Sequence, residues 1–108
     1  MKIMVVDDDA TFRARLVSAL AARGMQASAA GSPEEARQVA ARVAPNRAIV
    51  DLRMPGGSGL ELVSELLAIK PDIQIVVLTG YGSIATALEA TRRGAGNLKI
   101  RHGRLIVG

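Results

Sequence analysis

Four times along this chain, a short aliphatic run gives way to a segment of helical periodicity. Lys2–Val6 reads as an apolar strand, and Asp7-Asp8-Asp9 stops it. Phe12, Leu16, Ala19 and Leu20 then recur at helical spacing, with Arg13, Arg15 and Arg23 off that face and Gly24 suited to the C′ position. Residues 25–29 form a weaker strand, low in β-branched side chains. Ser32-Pro33-Glu34-Glu35 is a helix start, with a cap, a proline at N1 and a Glu at N3; Ala36, Val39, Ala40 and Val43 continue it to Pro45. Arg47–Asp51 is the third strand. Ser58 and Glu61 form a capping box for a third helix carrying Leu62, Val63, Leu66, Leu67 and Ile69, stopped before Pro71. Residues 73–79 are the clearest strand, and Ser83 caps a fourth helix over 84–93 that ends at Gly94. Continuous apolar strands separated by helices predict βαβ units with right-handed crossovers, and hence an α/β doubly wound parallel sheet covered on both faces.

At 108 residues the chain is expected to be one domain. Phe12 and Tyr81 are its only aromatics, which argues against a module that stacks bases. The absence of cysteine excludes disulfides, thiol chemistry and the usual zinc sites. No apolar run approaches the roughly eighteen residues of a membrane span, and Met1-Lys2 leads straight into a strand with no signal peptide. A cytoplasmic protein without membrane contact is the expectation. The net charge of +4 is unevenly placed: residues 1–91 hold nine Lys/Arg against ten Asp/Glu, whereas 92–108 hold Arg92, Arg93, Lys99, Arg101 and Arg104 against no acid. Basicity confined to one end is not a DNA-binding face spread over a domain.

Asp51 closes the third strand and precedes a turn with Pro55, Gly56, Gly57 and Gly59. In open α/β sheets, ligands bind at the carboxyl ends of the strands. The first and third strands are expected to be neighbours, so Asp7, Asp8 and Asp51 converge at that edge. Carboxylates in that number repel unless a cation joins them, and hard oxygen ligands suit Mg²⁺. Asp9 suffices as the cap of the first helix. Thr79 ends the fourth strand at the same edge, where its hydroxyl can hydrogen-bond a phosphoryl oxygen on Asp51. Gly56-Gly57-x-Gly59 lacks the P-loop lysine and the dinucleotide spacing, and reads as turn chemistry.

Three stretches together resemble a response-regulator receiver domain of two-component signalling: Val5-Val6-Asp7-Asp8-Asp9, Asp51-Leu52-Arg53-Met54-Pro55 with Gly59, and Val77-Leu78-Thr79-Gly80-Tyr81-Gly82. The similarity runs in register over residues 1–95. It is closer to the RegA/PrrA/ActR type through Gly57-Ser58-Gly59-Leu60 and Ile84-Ala85-Thr86-Ala87. The resemblance implies a flavodoxin-like (CheY-like) sheet of order 2-1-3-4-5. It implies Asp51 as phosphoacceptor for a sensor histidine kinase, and Mg²⁺ bound directly by Asp8 and Asp51 and through water by Asp7. It further implies the Arg53 backbone carbonyl as a metal ligand and Thr79 as receiver of a phosphoryl oxygen. Such a module accepts phosphoryl and autodephosphorylates but is not an enzyme of its own. Regulators of this type act in transcription through a helix-turn-helix output domain, so DNA contact is expected only through a domain not seen in this sequence.

The resemblance divides the chain into a receiver core, 1–95, and an atypical basic tail, 96–108. Counted forward from Thr79, Leu98 falls where a Tyr or Phe is usual, Arg101 at the lysine that pairs with the phosphoryl group, and His102 at the following proline. A fifth strand is expected near 97–101 and a short further one near 104–107, with His102-Gly103 as the turn and no closing fifth helix. The sheet face beside the first helix is then expected to expose aliphatic surface and favour self-association. Two other readings compete. One is a degenerate receiver serving only as a binding surface. The other is a Mg²⁺ phosphohydrolase, because Asp7-x-Asp9-x-Thr11 matches the nucleophile signature of haloacid-dehalogenase-like enzymes, although the chain is short for that class and lacks a late acidic pair. Which aspartate becomes phosphorylated separates them.

Overall fold

A computed structural model describes residues 1–52, 54, 59–80, 98–101 and 104–107, with 79–80 and the last two segments given as backbone. The elements are β1 (Lys2–Val6), α1 (Ala10–Ala22), β2 (Gln26–Ala30), α2 (Pro33–Val43), β3 (Arg47–Asp51), α3 (Gly59–Ile69), β4 (Gln74–Gly80), β5 (Leu98–Arg101) and β6 (Arg104–Val107). They build one six-stranded sheet of order β2-β1-β3-β4-β6-β5. The first four strands pair in parallel, as the alternating pattern requires. The fourth helix expected over 84–93, its Ser83 cap and the Ser58 cap lie outside the described residues.

Beyond β4 the expected order 2-1-3-4-5 gives way to another arrangement. Only two residues separate β5 from β6, and the two strands pair antiparallel. It is β6 that lies beside β4, antiparallel to it, so β5 is displaced to the edge.

Local chemistry accounts for the element ends. Asp9 caps α1, its Oδ1 accepting from the Phe12 N–H at 3.0 Å. Gly24, at φ +86°, closes the helix: its N–H donates to Ala21 O and the Met25 N–H donates to Leu20 O, the paired bonds of a Schellman motif. Ser32 caps α2 by accepting from the Glu35 N–H at 3.1 Å. Glu35 returns its carboxylate to the Gly31 N–H at 3.2 Å, one residue short of the usual capping-box partner. α2 ends at Ala44, which takes the left-handed conformation at φ 50° ahead of Pro45.

One core joins α2 and α3 to a single sheet face. Met4, Val6, Ala48, Val50, Ile75 and Val77 alternate along the strands and meet Ala36, Val39, Ala40, Leu62, Val63 and Leu66. Each large aliphatic side chain fully buried here contributes about 1.5–3 kcal/mol. Arg37 adds a link between the two helices, its Nε and Nη2 both donating to the Glu65 carboxylate, the latter at 3.0 Å. Ile69, the last residue of α3, is 55% exposed, whereas Leu62, Val63 and Leu66 are buried.

The alternate strand residues Ile3 and Val5 face α1, which packs on β1 and β2 and contains no fully buried residue. Its inner stripe is Phe12, Leu16, Val17 and Leu20, all half-buried, while Ala19 turns outward. Arg13, read as lying off that stripe, is half-buried too.

Candidate functional site

β1 and β3 are adjacent and in register from Ile3–Arg47 to Val6–Val50, so the residues that follow emerge together at the carboxyl edge of the sheet. That register brings Asp7, Asp8 and Asp51 into one cluster, with a carboxylate oxygen of each lying within 4.8 Å of the others. Asp7 is fully buried and Asp51 is 3% exposed, whereas Asp8 faces solvent. Two carboxylates at that separation repel by about 3.5 kcal/mol at an effective dielectric of about 20. Burial and mutual repulsion both favour a divalent cation with hard oxygen ligands, and the donor set is of that kind.

The strand ends hold this cluster in place. The Asp7 N–H donates to Ala30 O at 3.1 Å, and the Leu52 N–H donates to Leu78 O at 3.0 Å, so both acids sit on backbone tied to a neighbouring strand. Asp7 Oδ1 accepts from the Asp9 N–H at 2.9 Å, and the Asp7 carbonyl accepts from Arg13 Nη1 at 2.6 Å. Behind Asp51, Gly59 opens α3 so close that a Cβ would stand 2.8 Å from Leu52 Cα. Gly59 therefore lets α3 approach the phosphoacceptor candidate, a role beyond the turn chemistry read from the sequence.

Asp51 pairs with Leu78, so the backbone of Thr79 stands one step further along the adjacent strand at the same edge. Arg101 is also at the carboxyl end, but on the outermost strand; its partner Arg104 pairs with Gly80 and occupies the strand next to β4. Arg53 lies outside the described residues. A shallow groove of about 380 Å³ lined by Met1, Asn46, Arg47, Lys70, Asp72 and Gln74 sits at the opposite, amino-terminal edge and contributes nothing to the acidic cluster. Sequence reasoning missed Arg13, whose spacing of six residues from Asp7 places it on the first turns of α1, able to reach back to the end of β1.

A parallel α/β sheet with acids following its first strand and another closing the neighbouring strand presents a carboxylate cluster fit for a divalent cation at its carboxyl edge. The chain belongs to the response regulator receiver domain family, whose model matches residues 3–98. It is a receiver domain of two-component response regulators, a signalling module rather than a classical enzyme. It is 43% identical over 93 residues to the photosynthetic apparatus regulatory protein RegA of Rhodobacter capsulatus, covering 86% of this chain and 50% of that protein. To the acid tolerance regulatory protein ActR of Rhizobium meliloti it is 41% identical, covering 86% and 48%. The chain thus spans about half the length of these curated relatives. Among solved structures, a receiver domain protein from Clostridium thermocellum superposes with a TM-score of 0.82 at 29% identity, covering 87% of this chain and 76% of that one. A response regulator from Burkholderia pseudomallei, crystallised with a phosphorylated aspartic acid, a calcium ion and citrate, gives 0.81 at 38% identity, covering 87% and 55%. The family holds Mg²⁺ at its acidic pocket and takes phosphoryl groups from histidine kinases. No helix among the described residues is long and apolar enough to cross a membrane.

Proposed function

We propose that Asp51 is the phosphoacceptor of this receiver. The observation that carries the reading is the burial of Asp7 and Asp51 in one cluster with the exposed Asp8. A carboxylate oxygen of Asp51 attacks the phosphorus of a phosphohistidine on a sensor histidine kinase. The new O–P bond forms as the P–N bond breaks, leaving an acyl phosphate. Asp7, Asp8 and Asp51, with the backbone carbonyl of Arg53, would hold Mg²⁺. When bound, Mg²⁺ neutralises charge that develops on the phosphoryl oxygens. The exposure of Asp8 leaves the cluster open to the cation and to the incoming phosphoryl group. Thr79, at the neighbouring strand end, would donate its hydroxyl to a phosphoryl oxygen. Arg101, whose backbone ends the outermost strand at the same edge, is the basic residue this reading assigns to the place of the family's lysine. The phosphorylated aspartic acid and calcium ion of the similar Burkholderia pseudomallei protein support this assignment.

A cytoplasmic location for this chain, a sensor histidine kinase as its phosphoryl donor, control of transcription through an output domain and autodephosphorylation are parts of the same proposal, supported by its membership of the receiver family. Incubation with acetyl phosphate and Mg²⁺ followed by intact-mass measurement tests the reading. The chain should gain one phosphoryl group, and Asp51→Asn should gain none. A gain retained by Asp51→Asn but lost in Asp7→Asn would point to the phosphohydrolase chemistry instead. No gain by the wild-type chain would leave a receiver that acts only as a binding surface.

A further inference from the structure

The guanidinium of Arg13 is held on two sides. Nη1 donates to the Asp7 carbonyl at 2.6 Å. On the other side it lies against Gly31, where an added Cβ would stand 2.9 Å from Nη1 and 3.4 Å from Cζ. Gly31 is in turn fixed by its N–H bond to Glu35 Oε1 at 3.2 Å. The carbonyl that Arg13 grips belongs to the peptide joining Asp7 to Asp8. One end of this stretch is anchored, since Asp7 is buried and its N–H is tied to Ala30. Asp8 is exposed. The orientation of the Asp7–Asp8 peptide plane, with the Asp9 N–H bond to Asp7 Oδ1 just beyond it, sets where the Asp8 carboxylate stands, and Arg13 Nη1 is bonded to that plane.

We propose that Arg13 is a positioning residue for the cation site, fixing the Asp7–Asp8 peptide so that Asp8 joins Asp7 and Asp51, and that Gly31 is glycine to leave room for the guanidinium. The inference rests on the Mg²⁺ reading above. A charge-assisted hydrogen bond to a backbone carbonyl is directional and short. Groups that orient metal ligands commonly set affinity without touching the metal. The fixed positive charge beside the loop also offsets part of the repulsion among three carboxylates before a cation arrives.

The test is Mg²⁺ titration by calorimetry on the full chain, with unfolding measured on the same samples. Arg13→Ala should weaken Mg²⁺ binding about tenfold. Arg13→Lys should recover part of that loss, because an ammonium can donate one bond to the carbonyl but cannot lie flat on Gly31. Gly31→Ala should weaken binding like Arg13→Ala, since the added methyl meets the movable end of a side chain and displaces it. In the Arg13→Ala background, Gly31→Ala should cost nothing more. Labelling by acetyl phosphate in Arg13→Ala should need more Mg²⁺ for half-saturation yet approach the wild-type rate at saturating Mg²⁺. Folded variants that bind Mg²⁺ as the wild type does would overturn the proposal, and so would an equal effect of Gly31→Ala with and without Arg13. If Arg13→Ala fails to fold, Arg13→Lys and Gly31→Ala carry the same comparison. Failure of the wild-type chain itself to bind Mg²⁺ would instead overturn the site assignment on which the proposal stands.

Discussion

Asp7 and Asp9 are joined by a hydrogen bond from the Asp9 N–H to Asp7 Oδ1 at 2.9 Å, while Asp9 Oδ1 caps α1 through the Phe12 N–H. The three consecutive acids thus divide their work. Asp9 spends its carboxylate on the helix, which leaves those of Asp7 and Asp8 for the cluster with Asp51.

Asp9→Ala should therefore cost stability but little cation affinity. Losing the cap should remove about 1 kcal/mol, lowering the melting temperature by about 4–8 °C. The bond to Asp7 comes from the backbone and survives, so Mg²⁺ affinity should change less than about twofold against the ~10-fold or greater loss expected when a ligand-orienting group goes. Asp9→Asn, which keeps an accepting oxygen, should melt near the wild type. A large loss of Mg²⁺ affinity in Asp9→Ala would place Asp9 among the ligands.

The link between Arg37 and Glu65 predicts a pH dependence. The hydrogen bonds from Arg37 hold the Glu65 carboxyl below its ordinary value, and the same pairing raises the Arg37 guanidinium above its own. A carboxylate whose folded pKa is depressed stabilises the fold above its unfolded pKa, about 4.3. That contribution fades as pH falls through the folded value. Both side chains are more than a third exposed, so the effect is small and screened by salt. The stability difference between wild type and Glu65→Gln in urea should be constant from about pH 6 to 8, begin to shrink near the unfolded pKa of about 4.3 and vanish only below the depressed folded value. A difference that does not shrink at all as pH falls through the acid range would mean that packing, not charge, is what Glu65 supplies.

Ala44 holds a conformation that costs an L-residue about 1–2 kcal/mol. Ala44→Gly relieves it but adds freedom to the unfolded chain, which takes back about 0.4–1 kcal/mol. The exposed methyl contributes little packing. A net gain of about 0.5–1 kcal/mol in urea unfolding is expected. An unchanged or lower midpoint would show that Ala44 is not strained.

The chain was legible wherever one local rule decided. Lys2–Val6 and Arg47–Asp51 are bounded as read, because an aliphatic run ends at an acid in both. Asp9, Ser32 and Gly24 act as the caps their types suggest. The Asp7, Asp8 and Asp51 cluster followed from the adjacency of β1 and β3. What stayed hidden depends on contacts between distant segments. Arg13 looked like a solvent-facing charge, since nothing in helical spacing shows that a carbonyl six residues back and a glycine at 31 make a seat for it. The place of β5 was missed because residues 98–101 carry an ordinary strand pattern, and only pairing tells whether such a strand joins β4 or an intervening β6.

Gly59 gives the sharpest link between packing and the site. A Cβ there would stand 2.8 Å from Leu52 Cα, 2.9 Å from Leu52 Cδ2 and 3.2 Å from Asp51 O. The strand end cannot retreat freely, because the Leu52 N–H is bonded to Leu78 O. Nor can α3 move out without lifting Leu62, Val63 and Leu66 from the core. Gly59→Ala should therefore cost about 1–3 kcal/mol as overpacking. Part of the strain must fall on the backbone of Asp51 itself. Misplacing a reacting group by about 1 Å can slow a reaction by up to about a hundredfold, so labelling of folded Gly59→Ala by acetyl phosphate should slow at least about tenfold. Gly24→Ala is the control: with φ +86° and nothing within 4 Å of its Cβ, it is strained only in its own backbone at the far end of α1. It should lose about 1 kcal/mol of stability and keep the wild-type labelling rate. Equal labelling of Gly59→Ala and wild type would show that the start of α3 does not govern the position of Asp51.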